Sequence, residues 1–300
     1  MTANEQLYTP QFMTLIQSVF RAQSAFQPTF GDMQAIDGIT NSKTMFSVKT
    51  NDMPVVFNEY NTDADVAFGK GTSNSSRFGE LSEVIYEDKE VPYEGTWAFN
   101  EGMDRFTVNA DLNQAVADRL DAQAQAKIRK FNKYYGTKLV DNAAGDLGSV
   151  DDVAALFSTA DETFTNLEIM VPVRAYVTPD VYNAIVDSKL ATTAKGSNVN
   201  IDTNTYLEFK GFAISKTPEQ YMNNAKVIFV PDNIGRAFVG IETVRTVESE
   251  DFNGIKLQGA GKYGSYISSD NSKAIFTAGL GGGPATTTTT TEATTTQNQK

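Results

Sequence analysis

Residues 49–135 constrain this chain most. A long polar β-hairpin arm is followed directly by one long amphipathic helix. The limbs of the arm read Val55-Val56-Phe57-Asn58-Glu59-Tyr60 and Val84-Ile85-Tyr86-Glu87-Asp88-Lys89-Glu90-Val91, with a polar Gly/Ser tip at residues 69–76 between them. Limbs of about 12 residues at ~3.3 Å per residue reach about 40 Å. A two-stranded hairpin standing alone is marginal in water. Such an arm predicts a supporting surface outside itself, which points to a subunit of an assembly and to structure before chemistry.

The remainder of the composition bears on what chemistry is possible. The chain has 300 residues, 40% of them hydrophobic, with 19 Phe and 12 Tyr, enough for one large or two ordinary domains. It has no His and no Cys. That removes the usual neutral-pH general base, thiol nucleophiles, disulfides, ordinary zinc sites and the Ser-His-Asp arrangement. The absence of Cys leaves the redox compartment open. A net charge of −12 repels phosphate backbones and argues against non-specific nucleic-acid binding. It serves solubility, and an acidic wall would also suit a container for DNA. No apolar run approaches the ~20 residues of a membrane span. The start, Met1-Thr2-Ala3-Asn4-Glu5-Gln6, has neither basic residues nor an apolar stretch, so no signal peptide is read and synthesis in a cytoplasm is expected.

Along the chain, Phe12, Leu15, Ile16, Val19 and Phe20 fall at helical spacing, with Pro28 and Gly31 read as the stop. Residues 1–44 read as an N-terminal arm. Trp97-Ala98-Phe99 and Arg105-Phe106-Thr107-Val108 read as strands. A helix is predicted to start at Asp111, with Gln114 completing a capping box and Gly136 as C-cap. Leu112, Val116, Leu120, Ala124, Ile128, Phe131 and Tyr135 form its apolar stripe. Lys127, Arg129, Lys130 and Lys133 then sit near its C-terminus, where the dipole favours cations; a nucleic-acid patch is the alternative. A second helix is expected over 150–160 with Ser149 as cap. Residues 168–177 read as a buried strand, followed by Thr178 at N-cap and Pro179 at N1 of a short helix. Residues 191–205 are loop-like. Strands follow at 209–214, 226–230 and 237–241, with a turn at Pro231-Asp232-Asn233, and strands and turns alternate over 243–276. Leu280-Gly281-Gly282-Gly283-Pro284 is a linker to a Thr-rich tail, expected to be disordered because it has no apolar side chains for a core.

Candidate chemistry is thin. Gly259-Ala260-Gly261-Lys262-Tyr263-Gly264 fits G-x-G-x-x-G, but strand-like sequence follows where dinucleotide binding needs a helix, so a glycine-relieved turn or bulge is expected. Asn61, Asp63 and Asp65 open like a calcium loop that lacks its glycine and its final Glu. Glu248, Glu250 and Asp251 read as a solvated turn, with a weak divalent-ion site as the alternative. Lys70 stands alone in the tip, solvated or reaching a neighbour's acidic surface. Nothing activates it for an isopeptide bond to Asn253 or Asn271. No catalytic residue, cofactor or metal site is expected. No carboxylate pair is placed for a hydrolase, and the missing export signal argues against an adhesin with a Thr stalk.

The order of N-terminal arm, extended hairpin, long helix and a strand running into Val177-Thr178-Pro179-Asp180-Val181-Tyr182 resembles the major capsid proteins of tailed bacteriophages. The resemblance covers residues 1–280 and lies in architecture. It implies an α+β, Hong Kong 97-like fold. Residues 1–44 would be the N-arm, 45–100 the E-loop hairpin and 101–165 the peripheral domain with its spine helix. Residues 166–235 would form the axial domain, whose loop at 190–205 meets the five-fold and six-fold axes. Residues 236–279 would return to the peripheral domain, and 280–300 are the tail. The implied function is a shell subunit of the virion, not an enzyme. It would assemble with itself into pentamers and hexamers that enclose double-stranded DNA without sequence-specific binding. Scaffolding, portal and decoration proteins are the implied partners, with no membrane. An N-arm that is short and starts at Met1 implies either a separate scaffolding protein or an N-terminal segment already removed. Lys70, Arg77, Phe78, Phe12 and Phe20 are the expected inter-subunit contacts. An encapsulin-like compartment holding a cargo enzyme is the alternative of the same fold.

Overall fold

The computed structural model describes residues 24–35, 44–51, 55–62, 77–79, 83–106, 112–188, 197–200 and 205–280. It divides the chain into two units, one of residues 1–37 with 94–300 and one of residues 38–93. The helical patch of Phe12 and Phe20, the arm's tip with Lys70, Asp63 and Asp65, and the Thr-rich tail lie outside the described residues.

The larger unit opens with α1 (Gln27–Phe30) and β1 (Gln34–Ala35). Pro28 lies in the first turn of α1, where a missing N–H does no harm, so it opens this helix instead of ending one. Phe26 and Phe30 are fully buried, and the Thr29 hydroxyl hydrogen-bonds the Tyr176 hydroxyl at 2.8 Å. Residues 24–35 are therefore not an arm waiting for a neighbour; they are part of this unit's own core. After β2 (Thr44–Thr50) and β3 (Glu87–Pro92), which belong to the smaller unit, come β4 (Gly95–Asp104) and α2 (Leu112–Asp141). Arg105 and Phe106 make a turn, not a strand.

Helix α2 buries Ala124, Ile128, Phe131 and Tyr135 as the stripe predicts, and continues to bury Leu139. Gly136 does not end it. A Cβ there would lie 1.6 Å from the Tyr221 carbonyl oxygen, so glycine permits a close backbone approach in mid-helix.

The chain continues through β5 (Gly145–Asp146), α3 (Val153–Asn166), β6 (Val173–Val177) and α4 (Pro179–Asp187). The cap of α3 is Asp152, which accepts from the Ala155 N–H at 3.0 Å; the Ser149 hydroxyl instead donates to Asp151. Glu168, at φ 57°, closes α3: its N–H bonds the Thr165 carbonyl, and the Ile169 N–H reaches back to Phe164. That left-handed stop takes residues 168–171 out of the expected strand, and β6 starts only after Pro172. Thr178 and Pro179 stand at N-cap and N1 of α4 as read, although the Thr178 hydroxyl accepts from no N–H of the helix; it lies 3.2 Å from the Lys226 carbonyl oxygen.

The last part holds β7 (Ser197–Asn200), β8 (Thr205–Phe209), β9 (Phe212–Lys216), a 3-10 turn (Glu219–Tyr221), β10 (Val227–Pro231), β11 (Gly235–Glu248), β12 (Gly254–Ile267), α5 (Ser269–Ser272) and β13 (Phe276–Ala278). The expected single strand at 209–214 is two, split by a hairpin turn at Lys210 and Gly211, both at positive φ.

Two sheets result. One has the order β1-β11-β12-β4; the other has β5-β13-β10-β6-β9-β8-β7. The central strands β6 and β10 alternate between two cores. Ala175, Val177, Val227 and Phe229 face α3 and α4. Tyr176, Ile228 and Val230 join Phe26, Phe30, Trp97 and the α2 stripe. A strand covered on both faces reads as an unbroken apolar run, which is what Val227-Ile228-Phe229-Val230 is.

The glycines of the G-x-G-x-x-G match sit inside β12. Gly259 faces Phe99, and Gly261 faces Trp97 across the pair with β4. A Cβ at either would lie within 3 Å of the opposing ring. The glycine segment itself is neither the expected turn nor a bulge: it pairs residue for residue with β4 as far as Tyr263, and the register shift lies in the facing strand β11, between Val239 and Glu242.

In the smaller unit β2 pairs antiparallel with β3, from Thr44↔Pro92 to Thr50↔Glu87. The expected partnership of residues 55–60 with 84–91 is not formed. Residues 55–60 and 84–86 are not strands. In the sequence Asn51, Asp52 and Pro54 follow β2: turn formers and a residue without an N–H, which disfavour a continuing ladder.

Candidate assembly surfaces

The smaller unit contributes nothing to either buried cluster. Among its described residues only Met45 and Val91 are buried hydrophobics. Val55, Val56, Phe57, Tyr60, Phe78, Val84, Ile85 and Tyr86 are all exposed, Val55 by 80% and Phe57 by 93%. A concentration of apolar side chains in water marks an interaction surface.

Of the predicted contact residues, the structure brings two together. The Phe78 ring, 77% exposed, meets the Tyr60 ring edge-on at 5.2 Å. The Arg77 guanidinium lies 6.0 Å over Tyr60, and the Arg77 carbonyl accepts from the Asn61 N–H at 3.0 Å. Asn58 donates to the Phe78 carbonyl at 3.3 Å, and Gly79, at φ 87°, leaves room for the Asn58 side chain. Residues 58–61 thus meet residues 77–79 through one backbone bond and side-chain contacts, without a ladder. Phe12, Phe20 and Lys70 lie outside the described residues.

The larger unit has exposed apolar residues that sequence reasoning did not single out. Phe106 follows β4 in water. Leu167, Met170 and Val171 line a groove of about 530 Å³ with Pro231, Ile234 and Ala274, and Met170 is 95% exposed. The sequence reading places Phe106 and Met170-Val171 in strands, so their apolar character is visible there and their exposure is not.

Ion pairs fix the frame around these surfaces. Glu94, the first residue of the larger unit after β3, accepts from Lys138 at 2.5 Å and from the Tyr134 hydroxyl, which also meets Ser265 at 2.9 Å. Burial, and next the bond to Glu94, push the Tyr134 phenol above its ordinary range. Arg119 donates twice to Glu101, which with Gln123 holds that carboxyl low despite its partial burial. Arg174 makes a two-pronged pair with Asp232 at 3.0 and 3.1 Å. Burial would raise Asp180, but bonds from Thr178, Lys226 and the Val181 N–H bring its carboxyl down to about 2. Lys127 lies 3.6 Å from the centre of the Trp97 ring.

None of this is a catalytic arrangement. The acidic turn at residues 248–251 is tied to cations, Asp251 to Lys256 at 2.6 Å and Glu248 to Arg105 at 3.9 Å. Among the described residues no three acidic side chains gather as metal ligands, and no helix is long and apolar enough to cross a membrane.

No family model and no curated protein matches the chain. Solved structures do. The capsid structure of the cyanophage P-SCSP1u superposes with a TM-score of 0.60 at 10% identity, over 82% of this chain and 85% of that one. The mature capsid of bacteriophage PhiM1 gives 0.59 at 8% identity, over 85% and 86%. A virus-like particle from Pyrococcus furiosus gives 0.52 at 11% identity, over 90% and 99%. At such identities what is shared is the backbone arrangement, and the chain described here has the fold of phage capsid proteins.

Proposed function

We propose that this chain is the major capsid protein of a tailed phage with a Hong Kong 97-like fold. In this reading it assembles with itself into pentamers and hexamers of an icosahedral shell around double-stranded DNA. The observation that carries the proposal is the unit of residues 38–93, whose apolar side chains stand in water on a chain with a capsid-protein fold. Residues 45–100, which take in most of that unit, serve as the E-loop, and α2 serves as the spine helix. Residues 166–235 form the axial domain, 236–279 complete the peripheral domain, and 1–44 supply the N-arm, with residues 24–35 as its docked root. Each contact between copies is modest, but every subunit makes several, so closure is cooperative. Scaffolding, portal and decoration proteins are the other partners, and the virion is the location. The role is structural, without enzymatic chemistry.

A compartment shell of the encapsulin kind is the second reading. One of the matched structures, from Pyrococcus furiosus, is of a virus-like particle and not of a phage capsid, which is what motivates it.

Negative-stain microscopy of the purified chain, alone and with a candidate scaffolding protein, tests both readings when the particles' contents are also assayed. Closed particles that package DNA support the first. Particles that instead retain a co-purified protein cargo move the conclusion to the second. A chain that closes no particles under either condition refutes both.

A further inference from the structure

Helix α2 carries Lys127, Arg129, Lys130, Lys133 and Lys138 between Ala122 and Val140, with no acidic residue among them, on a chain of net charge −12. The length of α2 removes the dipole account of that run. It ends at Asp141, so Arg129 and Lys133 lie more than about two turns before its end, where the pull of the dipole on cations has faded. Lys138, the cation of the last turn, is engaged by Glu94. Lys127 covers Trp97, and Lys130 donates to the Thr96 carbonyl at 3.1 Å.

Arg129 and Lys133 are left exposed, with no ion-pair partner among the described residues. They sit one turn apart, about 6 Å along the axis, on the face opposite the buried Phe131. The side chains three or four positions from either are Gln125, Ala126, Asn132, Thr137 and other cations, with Gly136 between. Like charges at this spacing destabilise a helix, and no residue of opposite sign lies within reach along it.

The same face offers a protein partner little to bury. Ala122 and Ala126 are exposed and small, and Gln125 and Thr137 are polar. Protein interfaces centre on apolar and aromatic side chains. A phosphate backbone needs only cations, with small neighbours that let the strand approach.

We propose that the outward face of α2 contacts the phosphate backbone of duplex DNA through Arg129 and Lys133. The proposal rests on the shell reading for the source of that DNA. The contact is local, because the acidic remainder of the chain repels phosphate. It is weak per copy and additive over many copies. It carries no sequence information, since phosphates carry none.

The test titrates a short duplex DNA with the full-length chain and with R129A/K133A over a range of low salt concentrations, by fluorescence anisotropy. Binding by the parent chain is expected to weaken steeply with salt, and the double variant is expected to lose affinity and about 2 units of salt slope. Equal affinity and slope for the two proteins overturn the proposal, as does absence of binding by the parent chain at the lowest salt. A synthetic peptide of residues 83–92 serves as an acidic protein competitor. If that peptide binds through Arg129 and Lys133 and duplex DNA does not, the face belongs to a protein partner and the proposal is wrong. Microscopy of both proteins separates the two levels. Normal shells with unaltered DNA binding overturn only the α2 contact, whereas a parent chain that closes no shells overturns the shell reading itself.

Discussion

At Gly136 two residue-scale effects oppose each other. Alanine in place of glycine in mid-helix gains about 1 kcal/mol of helix propensity. Here the added methyl group would meet a backbone oxygen at 1.6 Å, which neither chain can yield without moving α2 away from the 3-10 turn. Overpacking of this kind costs about 3 kcal/mol. G136A is therefore expected to lose about 2 kcal/mol on balance, read as a lower denaturant midpoint; a gain in stability would show that the close approach is absent. Asp180 gives the pH dependence. Its folded value, about 2, lies below the 3.8 of a free Asp. The stability it contributes is thus complete above about pH 4 and is lost as pH falls through 2. Its side chain is 53% exposed, so solvent screening reduces the contribution to about 1 kcal/mol. D180N is expected to be less stable by that amount at neutral pH, with the difference from the parent chain shrinking as pH falls through 2 and vanishing about a unit below it. A difference that persists there would point away from the carboxylate.

Elements were legible in the sequence where one periodicity ran through one environment. Ala124, Ile128, Phe131 and Tyr135 announce α2, and Thr178 with Pro179 announce α4. Misreadings arose where tertiary contacts set the boundary. Gly136 resembles a cap unless the Tyr221 carbonyl is known, and the run Ile169-Met170-Val171 resembles a strand unless the left-handed Glu168 is known. The pairing of Gly259 with Phe99 and of Gly261 with Trp97 depends on a register between distant strands, which one sequence does not display. The arm was visible as an element, but its ladder was misplaced by one segment: the sequence marks residues 55–60 as apolar and leaves open whether a strand or a partner claims them. The structure leaves those side chains exposed, and this yields a prediction at the same scale. V55S/F57S/I85S removes apolar groups that support nothing within the subunit, so its unfolding free energy is expected to stay within about 0.5 kcal/mol of the parent. Particle formation at the same concentration is expected to fail, as scored by sedimentation. A large loss of monomer stability would mean that those side chains are covered within their own chain.

For the whole molecule, the two units differ in completeness. Residues 94–280, with 24–35, carry two buried clusters that share β6 and β10. The unit of residues 38–93 has, among its described residues, a short ladder, the Tyr60–Phe78 ring contact and a row of uncovered apolar side chains. On the shell reading proposed above, such a subunit reaches its full set of contacts only among copies of itself. Hydrogen exchange on the isolated subunit and on closed particles measures this directly at residues 55–60 and 83–86. The account predicts fast exchange there in the isolated subunit and protection in the particle, while β6 and β10 stay protected in both. Protection of residues 55–60 and 83–86 already in the monomer, or fast exchange there in closed particles, would contradict it.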